Sequence, residues 1–312
     1  MIAALISISA AGTANVAPED LLRAGKANDA QRILDAAIQQ NPNNAEAYNL
    51  LCRLYFQLEQ WDNALRMAEK SAALAPGNSN YHLWLGRAAG RKAESANPFA
   101  AWGLARKVRA EFERAVELDG NNFPARNDLA EYYMEAPGFL GGDKKKAREQ
   151  ADAVAKQDPA LASYIYGRLA EKQGSAQAEQ EYKKAISKSG NMSRYWIELA
   201  YYYRRAGRVA DMEAAITQAA QGARQGSAPE YDGAYLLLRT NRNPTAAIQM
   251  LRRSVSDNAS SEDAPAFRVH YMLGELLEKQ GDNKAAAAEF RSALALASEF
   301  HPARDALNRI SR

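Results

Sequence analysis

The chain has 312 residues, 47% of them hydrophobic and 25% charged, which is enough apolar material for a large core and too much for a disordered chain. A net charge of +3 gives nucleic acid no footing without a local basic patch. The single cysteine, Cys52, excludes an internal disulfide framework and a cysteine-based zinc site; His82, His270 and His301 share no ligand spacing, so neither metal nor cofactor is expected.

The first seventeen residues, MIAALISISAAGTANVA, carry no charged side chain. Their apolar run is shorter than the roughly 20 residues that span a bilayer. It fits the apolar region of a secretory signal, with Gly12 and Ala14 as small residues near a cleavage point, and makes a periplasmic or secreted protein the expectation. No Lys or Arg precedes the run, so the alternative is an apolar first helix in a cytoplasmic protein.

Residues 45–78 split into two amphipathic halves, AEAYNLLCRLYFQL and DNALRMAEKSAAL, joined by a short polar turn. Tyr48, Leu51 and Tyr55, then Ala64, Ala68 and Ser71, fall three or four apart, the spacing of one helical face. Small residues at Cys52, Ala64 and Ser71 let the two helices approach closely, and Pro76 with Gly77 ends the second. The template recurs at 11–44 (Gly25, Ala30, Leu34, Ala37), 193–227 (Trp196, Leu199, Tyr203, Gly207) and 267–300 (Leu273, Gly274, Gly281, Phe290). Weaker copies fill 160–192 and 228–261. Those at 79–122 and 123–161 keep the helices and enlarge the turn between them.

A 34-residue helix-pair period in register along the chain resembles the tetratricopeptide-repeat family, including arrays that bacteria export. The resemblance implies an all-α, right-handed superhelical solenoid of about eight helix pairs over 18–300, with 301–312 as a capping helix and 1–17 set apart as signal or first helix. It also implies that the first helix of each pair lines a concave groove.

The glycine-bearing loop EAPGFLGGDKKKA (135–147) fails as a phosphate cradle: no Ser or Thr follows Lys144, and the preceding NDLAEYYME is helical. It reads as an enlarged turn in which Pro137 stops one helix and Asp143 caps the next. The turn AESANPFAAWGLARK (93–107) is expected to emerge on the same edge. Phe99, Trp102, Phe139 and Leu140 are then expected to bury one another beneath the loops; the alternative is an exposed edge that contacts a partner.

At the concave positions of the first helices the sequence places Asn49, Arg53, Arg87, Arg91, Asn127, Arg168, Tyr201 and Arg204, with Arg194, Arg205, Asp232, Arg239, Glu275 and Lys279 in the same series. Arginine is frequent in this set, and its planar fork of donors suits carboxylates. Family members that bind peptides hold a terminal carboxylate here, and Asn49 with Arg53, Arg87 and Asn127 resembles that clamp loosely, without the expected first lysine. His82 and His270 stand where the template carries a core aromatic, and no nucleophile is paired with a base, so no catalytic residue is expected. The expected function is a non-enzymatic protein-interaction scaffold that binds an acidic or extended peptide in a basic groove. The alternatives are an accessory subunit docking through the apolar edge on a membrane-associated partner, or a small-molecule-binding array.

Overall fold

The computed structural model describes residues 16–221, 228–257 and 260–311. The apolar run expected to act as a signal lies outside them. Among the described residues there are seventeen α-helices and no strand. They follow one another as pairs: α1 (Pro18–Arg23) with α2 (Ala27–Gln40), α3 (Ala45–Gln57) with α4 (Trp61–Leu74), and α5 (Ser79–Glu94) with α6 (Pro98–Leu118). The series continues with α7 (Phe123–Glu135) and α8 (Lys144–Val154), α9 (Pro159–Lys172) and α10 (Ala178–Lys188), and α11 (Ser193–Arg205) and α12 (Val209–Gln221). It ends with α13 (Ala228–Arg239) and α14 (Pro244–Ser256), α15 (Ala266–Lys279) and α16 (Asn283–Leu296), and the final α17 (His301–Ile310). Eight pairs and a terminal helix make an all-α solenoid.

Local chemistry sets the helix starts. Asn44, Asn78, Asn122 and Asp158 each accept a backbone N–H in the first turn of the first helix of a pair. These side chains satisfy donors that the helix itself leaves open. Inside the second pair-unit, Cys52, Ala64 and Ser71 are all fully buried, so α3 and α4 close on one another across small side chains. Gly86 and Gly274 work the same way, since a Cβ on either would lie 2.4 Å from the ring of Phe112 or Phe290.

The turn expected at 93–107 is mostly helix. Asn97 caps through Ala100 N and Pro98 occupies the first turn, so α6 begins early and runs 21 residues. Proline at this position loses no helical hydrogen bond, and the alanines that follow favour helix. In the next unit, Asp143 caps α8 by accepting from the N–H groups of Lys145 and Lys146, and Asp143 N donates to Tyr133 O at 2.9 Å. Gly141 takes φ +93° in this turn, a conformation open to glycine at little cost.

The two ends of the array meet. Leu21, Leu22, Leu34, Leu50, Leu54 and Leu58 share one buried core with Phe267, Ala293, Ala297, Phe300 and Ala303. Phe267 and Phe300 are fully buried and pack edge to face with centroids 5.0 Å apart. Around this core, Asn28 Nδ2 donates to Ala295 O at 3.0 Å, and Ser298 N donates back to Asn28 Oδ1 at 2.9 Å. Arg268 pairs with Glu59. Gly25, at φ +66°, lies so close to Ala266 N that a side chain there has no room. The terminal helix, expected as a solvating cap, is therefore also part of a seam that closes the solenoid on itself.

Candidate functional site

Closure turns the concave groove into a cavity of about 750 Å³. Its wall is built from the inner faces of α5, α7, α9, α11 and α13 and from residues 262–263, in the segment that precedes α15. On α5 the lining residues are Asn80, Leu83, Trp84 and Arg87, the three-and-four spacing of one helical stripe. On α7 the stripe is Pro124, Asn127 and Asp128; on α11 it is Arg194, Ile197 and Glu198.

The chain occupies part of its own groove. Arg53 Nε donates to Glu262 Oε1 at 2.6 Å and a second guanidinium nitrogen donates to the other carboxylate oxygen, with both side chains largely buried. Gln57 Nε2 donates to the backbone carbonyl of Glu262 at 3.0 Å. The segment before α15 is thus held to α3 by a bidentate carboxylate grip and a backbone contact.

The charge of the cavity departs from the basic groove expected from the sequence. Six carboxylates line it (Asp128, Asp158, Glu198, Asp232, Glu262 and Asp263) against two guanidinium groups, Arg87 and Arg194. Burial, then the charges of Glu198 and Asp263, push the carboxyl of Asp232 up to about 7, while the Tyr201 hydroxyl and Arg268 oppose the rise. Burial likewise raises Glu198, against the pull of Arg168 and Arg194.

Of the groove residues read from the sequence, Arg87, Asn127, Arg194 and Asp232 line the cavity. Arg87 Nε donates to Asp128 at 2.6 Å and its guanidinium stacks 4.9 Å from the Trp84 ring. Arg168 lies deeper, bridging Glu131 and Glu135 and donating to the Tyr164 hydroxyl. Tyr201 bonds to Asp232 behind the wall. Asn49 is buried with its Nδ2 unpartnered among the described residues. Arg91 pairs with Glu94 and stacks on Trp61, and Arg204 is exposed; neither lines the cavity. Both come from the C-terminal turns of their helices, whereas the cavity is lined from the N-terminal halves. The expected set also passed over Trp84, Asp128 and Glu198, each the next residue after a lining position, which the i, i+3, i+4 stripe would have included.

Two tetratricopeptide-repeat family models match the sequence, over residues 21–88 and 231–299. The chain is a tetratricopeptide-repeat protein. Among solved structures, the array is similar to yeast Tom70, at 15% identity and TM-score 0.54 over 97% of this chain and 65% of that one. It is also matched to a tetratricopeptide repeat protein from Parabacteroides merdae, at 13% identity and TM-score 0.46 over 95% and 96% of the two chains.

The expected aromatic cluster at the loop edge does not form. Phe99 is 92% exposed, Phe139 79% and Trp102 49%. The early start of α6 carries Phe99 and Trp102 on exposed helical turns, and among the described residues the ring partner of Trp102 is Arg106, at 5.0 Å. Leu140 is half-buried, its carbonyl bonded by the Tyr132 hydroxyl. Trp102→Ala is accordingly expected to change stability by less than about 1 kcal/mol in a denaturant melt, the scale of an exposed cation–π contact. A loss of several kcal/mol would put the ring back in a core. His82 and His270 are held by carboxylates of the following helices, Glu111 at 2.6 Å and Glu289 at 2.7 Å, as pairs within the array.

Proposed function

We propose that the chain is a non-enzymatic protein-interaction scaffold that holds an extended segment of a partner protein in its concave cavity. Tetratricopeptide repeats support the scaffold, and one observation carries the extended ligand. Residues of the chain's own α14–α15 connection already lie against α3, gripped through the Glu262 carboxylate and backbone carbonyl. That is the pairing of arginine with acid, and amide with backbone, on which the acidic-peptide reading rests. An acidic ligand would have to displace this contact, since Arg53, Arg87 and Arg168 are all engaged by carboxylates of the chain. Substituting the three arginines together therefore perturbs folding as well as binding.

A cleaner probe fills the cavity. Asn127 is half-buried on α7, and its amide makes only a weak contact with the neighbouring Asp128. Asn127→Trp is expected to fold and to lose partners that wild-type protein captures from its native host, as identified by mass spectrometry. A second reading, docking through the apolar edge on a membrane-associated partner, is favoured by the exposure of Phe99 and Phe139. It reverses the result: Phe99→Ser with Phe139→Ser would lose the partners and Asn127→Trp would keep them.

A further inference from the structure

Half of the carboxylates in the cavity have a charged or backbone partner and half do not. Asp128 pairs with Arg87, Glu262 with Arg53, and Asp158 caps α9 by accepting from Leu161 N. Glu198, Asp232 and Asp263 form no ion pair among the described residues. They come together from α11, α13 and the segment before α15, close enough for the outer two to raise the proton affinity of Asp232. Glu198 and Asp232 are the recessed members and Asp263 stands at the exposed rim. Their like charges repel; Arg168, Arg194 and Arg268 offset this in part but form no ion pair with the three among the described residues.

Two features separate this arrangement from an acidic patch on an open surface. The carboxylates face a recessed, half-open concavity within the usual size range of ligand sites, with Leu83, Trp84, Phe123 and Leu161 as apolar wall. Glu198 is partly buried, lines the cavity, and has no ion pair or hydrogen-bond donor for its carboxylate among the described residues. Trp84 also shows what suits the wall, since its ring already carries the guanidinium of Arg87.

We propose that the cavity binds a cationic group of the partner segment, a lysine or arginine side chain or a free amino terminus, between Glu198, Asp232 and Asp263. The apolar stem of such a side chain lies along Trp84 and Leu161 while its charge meets the carboxylates. This inference rests on the cavity being the partner site. It replaces an acidic ligand with a basic one for the part of the cavity that the chain leaves open. The cis contact of Arg53 with Glu262 serves the α3 side, and the carboxylate trio serves the α11–α13 side.

The test is calorimetric titration of the full chain with two capped peptides of equal length, one alternating lysine with serine and the other glutamate with serine. The lysine peptide is expected to bind, more weakly as salt increases, and the glutamate peptide is not. Glu198→Gln with Asp232→Asn is expected to lower the affinity for the lysine peptide about tenfold or more, the scale of a lost charge-assisted contact. Circular dichroism confirms that the double variant is folded, and Asn127→Trp is expected to abolish the same binding sterically. Preference for the glutamate peptide overturns the cationic ligand but leaves the cavity as the site, provided Asn127→Trp also blocks it. Unchanged affinity in the double variant overturns the assignment to these carboxylates. Binding of neither peptide also overturns the proposal; if Asn127→Trp then captures partners as wild type does, the cavity reading fails with it.

Discussion

Phe267→Ala is expected to cost about 3–5 kcal/mol, the range for emptying a buried aromatic position. Phe267 is fully buried in the core that joins the first three helices to the last three, packed edge to face on Phe300, which in turn meets Tyr271 at 5.4 Å. In an open solenoid each repeat touches only its neighbours, so damage near one end stays there. Here the seam couples the ends. Hydrogen exchange in Phe267→Ala should therefore accelerate in α2 and α3 as well as in α15 and α16. Small-angle scattering should show a larger radius of gyration once the ring is released. Loss of protection confined to α15–α17, with no expansion, would mean that the seam adds little to the closed shape.

The repeats were legible because they are local. Pairs announce themselves through small residues at close contacts, in four cases through an Asn or Asp cap before the first helix, and commonly through a glycine or proline after it, all within a few turns of one another. The cap at Asp143 follows from the same short-range chemistry. What could not be read was set by distance. Arg53 and Glu262 are 209 residues apart, and Asn28 meets Ser298 across 270. No periodicity within a repeat encodes the number of repeats at which the solenoid closes, because that depends on small rotations summed over every pair. The charge of the groove went wrong for the same reason. Arginines were visible on the first helices, but their carboxylate partners lie on neighbouring repeats or across the seam. The exposed edge has a different cause: the sequence suggests loop residues at Phe99 and Trp102 free to fold inward, whereas early capping by Asn97 holds them on a helix.

Asp232→Asn is expected to stabilise the protein at neutral pH and above. In the unfolded chain this carboxyl has its ordinary value near 3.8, and in the folded protein burial, Glu198 and Asp263 raise it to about 7. The groups facing it are Glu198 and Tyr201 from α11, Asp263 from the segment before α15 and Arg268 from α15. The folded state therefore holds this proton more tightly than the unfolded state does. Below about pH 4 both states are protonated and the group is neutral to stability. Between about pH 4 and 7 the unfolded chain releases its proton first, so stability falls as pH rises, and above about 7 the full cost stands. A rise of this size corresponds to about 4 kcal/mol at most, and solvent in the cavity reduces it to roughly 2–4 kcal/mol. An uncharged amide of the same shape removes that cost. Denaturant titrations should thus find variant and wild type nearly equal at about pH 4, with the variant gaining roughly 2–4 kcal/mol by about pH 8. A difference that stays constant across that interval would mean Asp232 does not titrate there. The measurement also bears on function, because a carboxylate that weakens the empty fold is the kind of group proteins keep where a ligand neutralises it. A variant that is more stable at pH 8 and no longer binds the lysine peptide would show both sides of that exchange at one residue.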